Sequence, residues 1–191
     1  MKIGLYFGSF NPVHNGHMVI ANYMAEFAQL QQVWMVVSPQ NPLKKAAALL
    51  SDTQRLAMVE IAIGDYKKLK ASNIEFKLPK PSYTIVTLAH LSEKYPQHEF
   101  SLIMGADSLA TLHKWKNYES ILEHYNIYVY PRPQIEVTAF AKHNNVHWVD
   151  APLMEISSSF IRNAIKNKHD VRFMLPQPVY VYLDEMGFYK K

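Results

Sequence analysis

The chain has 191 residues and is 49% hydrophobic, so one domain over 1–191 with a sizeable core is expected. It contains no cysteine, which excludes disulfides and thiolate metal sites. Its 20 basic residues against 16 acidic ones leave a net charge of +4, scattered rather than striped, which suits small phosphorylated anions better than nucleic acid.

Residues 2–7, without a charge after Lys2, read as a buried first strand, with Gly8 arriving too soon for a signal-peptide apolar region. Residues 16–30 read as a helix, because Val19, Ile20, Tyr23, Met24 and Phe27 recur at three- and four-residue spacing. A second apolar strand follows at 33–37, then a loop over 38–50 with Pro39, Pro42 and the pair Lys44-Lys45. Ser51, with Gln54 three residues on, predicts a capping box and a helix to about residue 63. Residues 72–76 read as a strand, and a turn with Pro79 and Pro81 leads into a helix over 83–94. Further strands are expected at 100–104, 127–130 and 146–149, and further helices at 157–166 and 179–186. No stretch is apolar enough to cross a bilayer, so a soluble cytoplasmic protein is expected. Alternating strands and helices with right-handed crossovers predict an α/β fold. Its expected form is a single-domain, doubly wound, Rossmann-like sheet, mostly parallel, with helices on both faces.

The most informative segment is Gly8-Ser9-Phe10-Asn11-Pro12-Val13-His14-Asn15-Gly16-His17, which leaves strand 1 and enters helix 1. Ligands of open α/β sheets sit beyond the carboxyl ends of the strands, and a helix start favours phosphate. His14 and His17 can point the same way if the turn between them is tight. The segment is neither a Walker A loop nor a dinucleotide-binding glycine fingerprint. Toward the other end, Ile156-Ser157-Ser158-Ser159-Phe160-Ile161-Arg162 offers a serine cap, hydroxyl donors and an arginine about one turn on.

These two segments resemble the hallmarks of the nucleotidyltransferase superfamily: a His-x-Gly-His after strand 1 and an Ile-Ser-Ser-Thr-x-Ile-Arg near the C-terminus. Pro81-Ser82-Tyr83-Thr84, Gly105-Ala106-Asp107-Ser108 and Lys114-Trp115 resemble features of the bacterial nicotinate mononucleotide adenylyltransferases. The likeness runs from residue 2 to about 189. Departures are small: Asn11 stands where the family often has Asp, Ser159 where it often has Thr, and Lys44-Lys45 where it often has His-Lys.

The resemblance implies transfer of AMP from ATP to nicotinate mononucleotide, with in-line attack of the acceptor phosphate on the α-phosphorus and loss of pyrophosphate. No covalent intermediate is implied, since no activated nucleophile is evident. His14, His17 and Arg162 would be the catalytic groups, aligning two polyanions and stabilising their charge. Gly8, Ser9, Phe10, Gly16, Lys44, Lys45, Gly105, Asp107, Ile156, Ser157, Ser158 and Ser159 would complete the ATP site. Ser82, Tyr83, Thr84 and Trp115 would hold the pyridine. Mg²⁺ would arrive with ATP, with no dedicated protein metal site. The rival acceptors are nicotinamide mononucleotide and phosphopantetheine, and the rival class is a nucleotide-binding regulator without turnover. The expected partners are ATP and a pyridine mononucleotide, with neither nucleic acid nor membrane; assembly of identical copies stays open.

Overall fold

The computed structural model describes residues 1–39, 49–135 and 140–190. Six strands, β1 (Lys2–Gly8), β2 (Gln32–Val37), β3 (Leu69–Ser72), β4 (Glu99–Gly105), β5 (Ile127–Tyr130) and β6 (Val146–Trp148), form one sheet in the order β3-β2-β1-β4-β5-β6. Every pairing between them is parallel, so the expected "mostly parallel" sheet is wholly so among the described residues. The helices are α1 (Asn15–Phe27), α2 (Asp52–Ile63), α3 (Thr84–Lys94), α4 (Ala106–Ala110), α5 (Tyr118–His124), α6 (Ser158–Lys166) and α7 (Gln177–Glu185).

A wholly parallel sheet must be covered on both faces, and strand alternation divides its side chains between two cores. Val33, Met35 and Val37 pack with Met24 of α1, Met58 of α2, Ile161 of α6 and Leu183 of α7. Trp34, Val36, Leu5 and Leu102 pack on the other face with Leu88 and Leu91 of α3, Leu109 of α4 and Ile121 of α5. Gly4 fits the middle of β1 because a Cβ there would stand 2.6 Å from the terminal carbons of both Leu30 and Ile103.

The predicted capping box at α2 is present: Gln54 N–H donates to Ser51 Oγ at 3.3 Å, and Ser51 N–H donates to Gln54 Oε1 at 3.1 Å. The strand expected at 72–76 is corrected. β3 ends at Ser72, its last residue paired with β2, and Ile74–Lys77 form a 3-10 turn. The turn swings Glu75 inward, where it is buried and accepts a 2.8 Å hydrogen bond from Thr87 Oγ1 of α3. Helix 1 stops at Phe27 rather than residue 30, as Gln29 takes a left-handed conformation (φ 55°). α4 and α5, of five and seven residues, carry too few turns to leave a helical period in the sequence. No helix among the described residues is long and apolar enough to cross a membrane.

Arg55, in the second turn of α2, has no exposed surface and uses all five of its N–H donors. Nε donates to Leu50 O at 3.1 Å, Nη1 to Ser9 O at 2.6 Å and Ser38 O at 2.9 Å, and Nη2 to Pro39 O at 3.4 Å and Asp52 Oδ1 at 2.6 Å. Burial of the charge is thereby compensated by four carbonyls and one carboxylate.

Filling the space beside Gly4 tests the packing between β1, β4 and the α1–β2 turn. Gly4→Val is expected to destabilise the fold by about 1–3 kcal/mol through overpacking, and Gly4→Ala by less, because two flexible side-chain ends can move aside. Thermal and urea unfolding of the two variants measure the difference.

Candidate active site

The Gly8–His17 segment lies where β1 gives way to α1, beside the carboxyl end of β4. His14 caps α1 and is 4% exposed, and the His17 ring stacks on it with centroids 3.7 Å apart and planes 27° off parallel. The expected common direction of the two rings is therefore met. His14 backbone N–H donates to His17 Nδ1 at 3.3 Å, so a neutral His17 carries its ring proton on Nε2. Phe10 stands edge-on to His17 with centroids 5.0 Å apart, and Tyr6 lies 6.2 Å away. Gly16 makes room for the stack, since a Cβ there would stand 3.1 Å from His14 Nδ1. Left-handed backbone in the turn falls on Phe10 (φ 47°), and its ring lies against Gly8, where an added Cβ would stand 2.8 Å from Phe10 Cζ.

Burial pushes the His14 imidazole down to a pKa of about 4, and the nearby Arg132 guanidinium adds to the shift. The ring is thus neutral near pH 7 in the free protein. An anion placed against it would reverse both causes, replacing lost solvation and offsetting the arginine.

The second motif docks directly on the first. Ser157 caps α6 by accepting from Phe160 N–H at 3.2 Å, while Ser158 Oγ donates to Pro12 O at 2.9 Å. Arg162 donates through Nη1 to Asn11 O at 2.8 Å and through Nη2 to Ser159 Oγ at 3.2 Å. Ile156 is half-buried against the core beneath. Asn11 is buried, and its Oδ1 accepts from Tyr189 Oη at 2.6 Å and Leu50 N–H at 3.3 Å, so the C-terminal segment also braces the turn. Lys44 and Lys45 lie outside the described residues.

Sequence reasoning missed Arg132. It follows β5 and stands half-buried over Gly105, where any Cβ would collide with Asp107 Oδ1 and stand 3.2 Å from Arg132 Nε. Nε faces Asp107 Oδ1 at 3.6 Å, Nη1 donates to Met154 O at 3.3 Å and Nη2 to Tyr130 Oη at 3.4 Å. Its signal was an arginine held between Pro131 and Pro133 at the carboxyl end of a predicted strand. Asp107, expected in the ATP site, is paired with this guanidinium.

Ser82, Tyr83 and Thr84 lead into α3, whose first backbone hydrogen bonds return to Tyr83 O from Val86 and Thr87 at 3.0 and 3.2 Å. The amides of Thr84 and Ile85 precede that point and are directed out of the helix start. Lys116 Nζ lies 4.5 Å from the Tyr83 ring centroid, which brings the segment after Trp115 alongside this turn. Together with Lys80 and Thr87 they border a cleft of about 230 Å³. Trp115 is half-buried and packs on the α3–α5 core. Glu75 lies below, its carboxyl pushed up by burial and pulled back by the hydroxyls of Thr87, Ser38 and Ser82. Among the described residues, no three histidine or carboxylate side chains gather to hold a metal.

The depressed His14 pKa has a consequence for the ligand-free protein. The unfolded imidazole takes a proton near pH 6.5, the folded one only near pH 4, so stability is full above pH 6.5 and falls as pH drops toward 4. The window is worth about 3 kcal/mol. Melting temperature followed from pH 7 to 4 should show this slope, and His14→Gln should flatten it.

Residues 5–164 match the cytidylyltransferase-like family. Over the full length of both chains, the sequence is 61% identical to a Flavobacterium johnsoniae protein named "Probable nicotinate-nucleotide adenylyltransferase". It is 58% identical to a Flavobacterium psychrophilum protein of the same name, again over all of both chains. The Plasmodium falciparum nicotinic acid mononucleotide adenylyltransferase complexed with NaAD has the same fold. Its TM-score is 0.84 at 18% identity, over 99% of this chain and 97% of that one. The chain therefore belongs to the cytidylyltransferase-like family and, within it, to the nicotinate-nucleotide adenylyltransferases.

Proposed function

We propose that this site transfers AMP from ATP to the phosphate of nicotinate mononucleotide, giving nicotinate adenine dinucleotide and pyrophosphate. The observation that carries the reading is the stacked His14–His17 pair, locked to Arg162 through the Asn11 backbone at the β1–β4 crevice. An acceptor phosphate is already ionised near neutral pH, so no general base is needed. One of its oxygens forms a bond to the α-phosphorus, and the bond from that phosphorus to the bridging oxygen breaks as pyrophosphate leaves.

His17 Nε2–H and the His14 ring donate to the α-phosphate oxygens, where charge builds in the transition state. Arg162 and the α6 serines hold the departing pyrophosphate, with the planar guanidinium matching its oxygens. Arg132, oriented by Asp107 and Tyr130, faces the acceptor phosphate. The α3 amides take the pyridine carboxylate and Trp115 offers the ring an apolar face. Magnesium would arrive with ATP and supply charge neutralisation to its phosphate oxygens.

Pyrophosphate release from Mg-ATP, run in parallel with nicotinate mononucleotide, nicotinamide mononucleotide and phosphopantetheine, tests the assignment. Turnover should require a pyridine mononucleotide and be fastest with the acid; equal rates with phosphopantetheine would defeat the reading. His17→Ala should lower kcat on the order of 10²–10³-fold, the cost of one lost transition-state donor, with the circular dichroism spectrum unchanged. Trp115→Ala should weaken acceptor binding roughly 10–100-fold while leaving ATP affinity intact. Equal loss of both substrates in calorimetric titrations would make Trp115 a packing residue instead.

A further inference from the structure

We propose that Arg55 is a positioning residue for nucleotide transfer, acting through the backbone that carries the phosphate donors. The proposal rests on the function given above and goes beyond it, since Arg55 lies outside every motif that carries the family likeness. Three features of its surroundings support the role.

The first is which carbonyls it binds. Ser9, Ser38, Pro39 and Leu50 all lie between elements, at the carboxyl end of the sheet, and none lies within a helix or strand. Losing the guanidinium would leave the sheet ladder intact and free the loops instead. The second is where those loops lead. Ser9 precedes Phe10, whose left-handed backbone sets its ring against His17. Leu50 gives its carbonyl to Arg55 and its N–H to Asn11 Oδ1, and the Asn11 carbonyl holds Arg162. One buried cation thus fixes both the histidine pair and the arginine proposed to grip the leaving group. Pro39 and Leu50 also flank the stretch of sequence that carries Lys44 and Lys45.

The third is how the guanidinium is itself oriented. Asp52 Oδ1 lies 2.6 Å from Arg55 Nη2, and Oδ2 pairs at 3.1 Å with Lys80, just ahead of the acceptor turn. A lysine at position 55 would keep the charge, but its three donors leave one point and cannot meet four carbonyls spread around a planar fork.

The test uses the full chain, with Arg55→Lys and Asp52→Asn compared with wild type. Melting temperature, kcat, the KM for ATP at saturating nicotinate mononucleotide and the KM for acceptor at saturating ATP are measured where all forms are folded. Arg55→Lys should raise the ATP KM about tenfold and lower kcat about tenfold, each equivalent to about 1.4 kcal/mol, and leave the acceptor KM within about threefold. Asp52→Asn should shift the ATP KM the same way by about threefold, since it loosens the guanidinium without removing it.

A lower melting temperature with wild-type kcat and ATP KM in the folded variants would overturn the proposal and leave Arg55 a purely structural group. If Arg55→Lys does not fold, Asp52→Asn decides by the same kinetic criterion. ATP titration by calorimetry separates this proposal from the functional reading. A wild type that binds ATP but turns over no nicotinate mononucleotide would defeat that reading. A loss of ATP affinity in Arg55→Lys would still support the positioning role, and unchanged affinity would overturn it.

Discussion

Parallel crossovers are right-handed, so their direction decides which face of a sheet their helices cover. From β1 the chain steps outward through β2 to β3, placing α1 and α2 on one face; it then returns past β1 to β4 and steps the other way, placing α3, α4 and α5 on the opposite face. The connections leaving β1 and β4 therefore diverge, and a crevice opens between two neighbouring strands at their carboxyl ends. The histidine turn stands at one lip of this crevice and the Gly105–Asp107 turn at the other. α6 and α7 then pack on the α1 side, which brings Arg162 and Tyr189 back onto Asn11.

The electrostatics of the crevice follow from how its cations are held. Arg55, Arg132 and Arg162 all spend donors on protein carbonyls, so their planes are set before any ligand arrives. His14 is kept neutral by burial beside Arg132. In the proposed reaction a site of this kind would offer a polyphosphate oriented dipoles and partly neutralised positive charge, with little reorganisation when charge moves. Substrate alignment is the larger demand, because two anions must be brought together against their mutual repulsion, and this explains why so much of the hydrogen bonding is directed at loop backbone.

Much of this was legible in the residues. The largely apolar runs at 33–37 and 100–104 read as strands buried on both sides, and Ser51 with Gln54 announces α2 through side-chain chemistry that acts within one turn. The histidine and serine motifs were legible because each is compact: His14 and His17, or Ser157 and Phe160, interact across three residues. Arg132 was not, because Asp107 lies in α4 and Met154 in the segment before α6, both some 20 residues or more from it along the chain. Glu75 was read as part of a strand because its burial depends on Thr87, on a helix that had not yet been placed against it.

By itself, then, the sequence determined what acts over short range: most strand and helix positions, the caps at Ser51 and Ser157, and two compact motifs that resemble those of the nucleotidyltransferases. Only the tertiary structure decided what acts across the fold. Ser158 meets Pro12 over a separation of 146 residues and Arg162 meets Asn11 over 151, contacts that no local spacing encodes. Arg55 reads in the chain as one more basic residue on a helix; folding alone turns it into a buried fork shared by four loop carbonyls. The physical reason is that burial and hydrogen-bond satisfaction are properties of the packed whole, and a side chain acquires its role only when the surroundings that desolvate it also supply its partners.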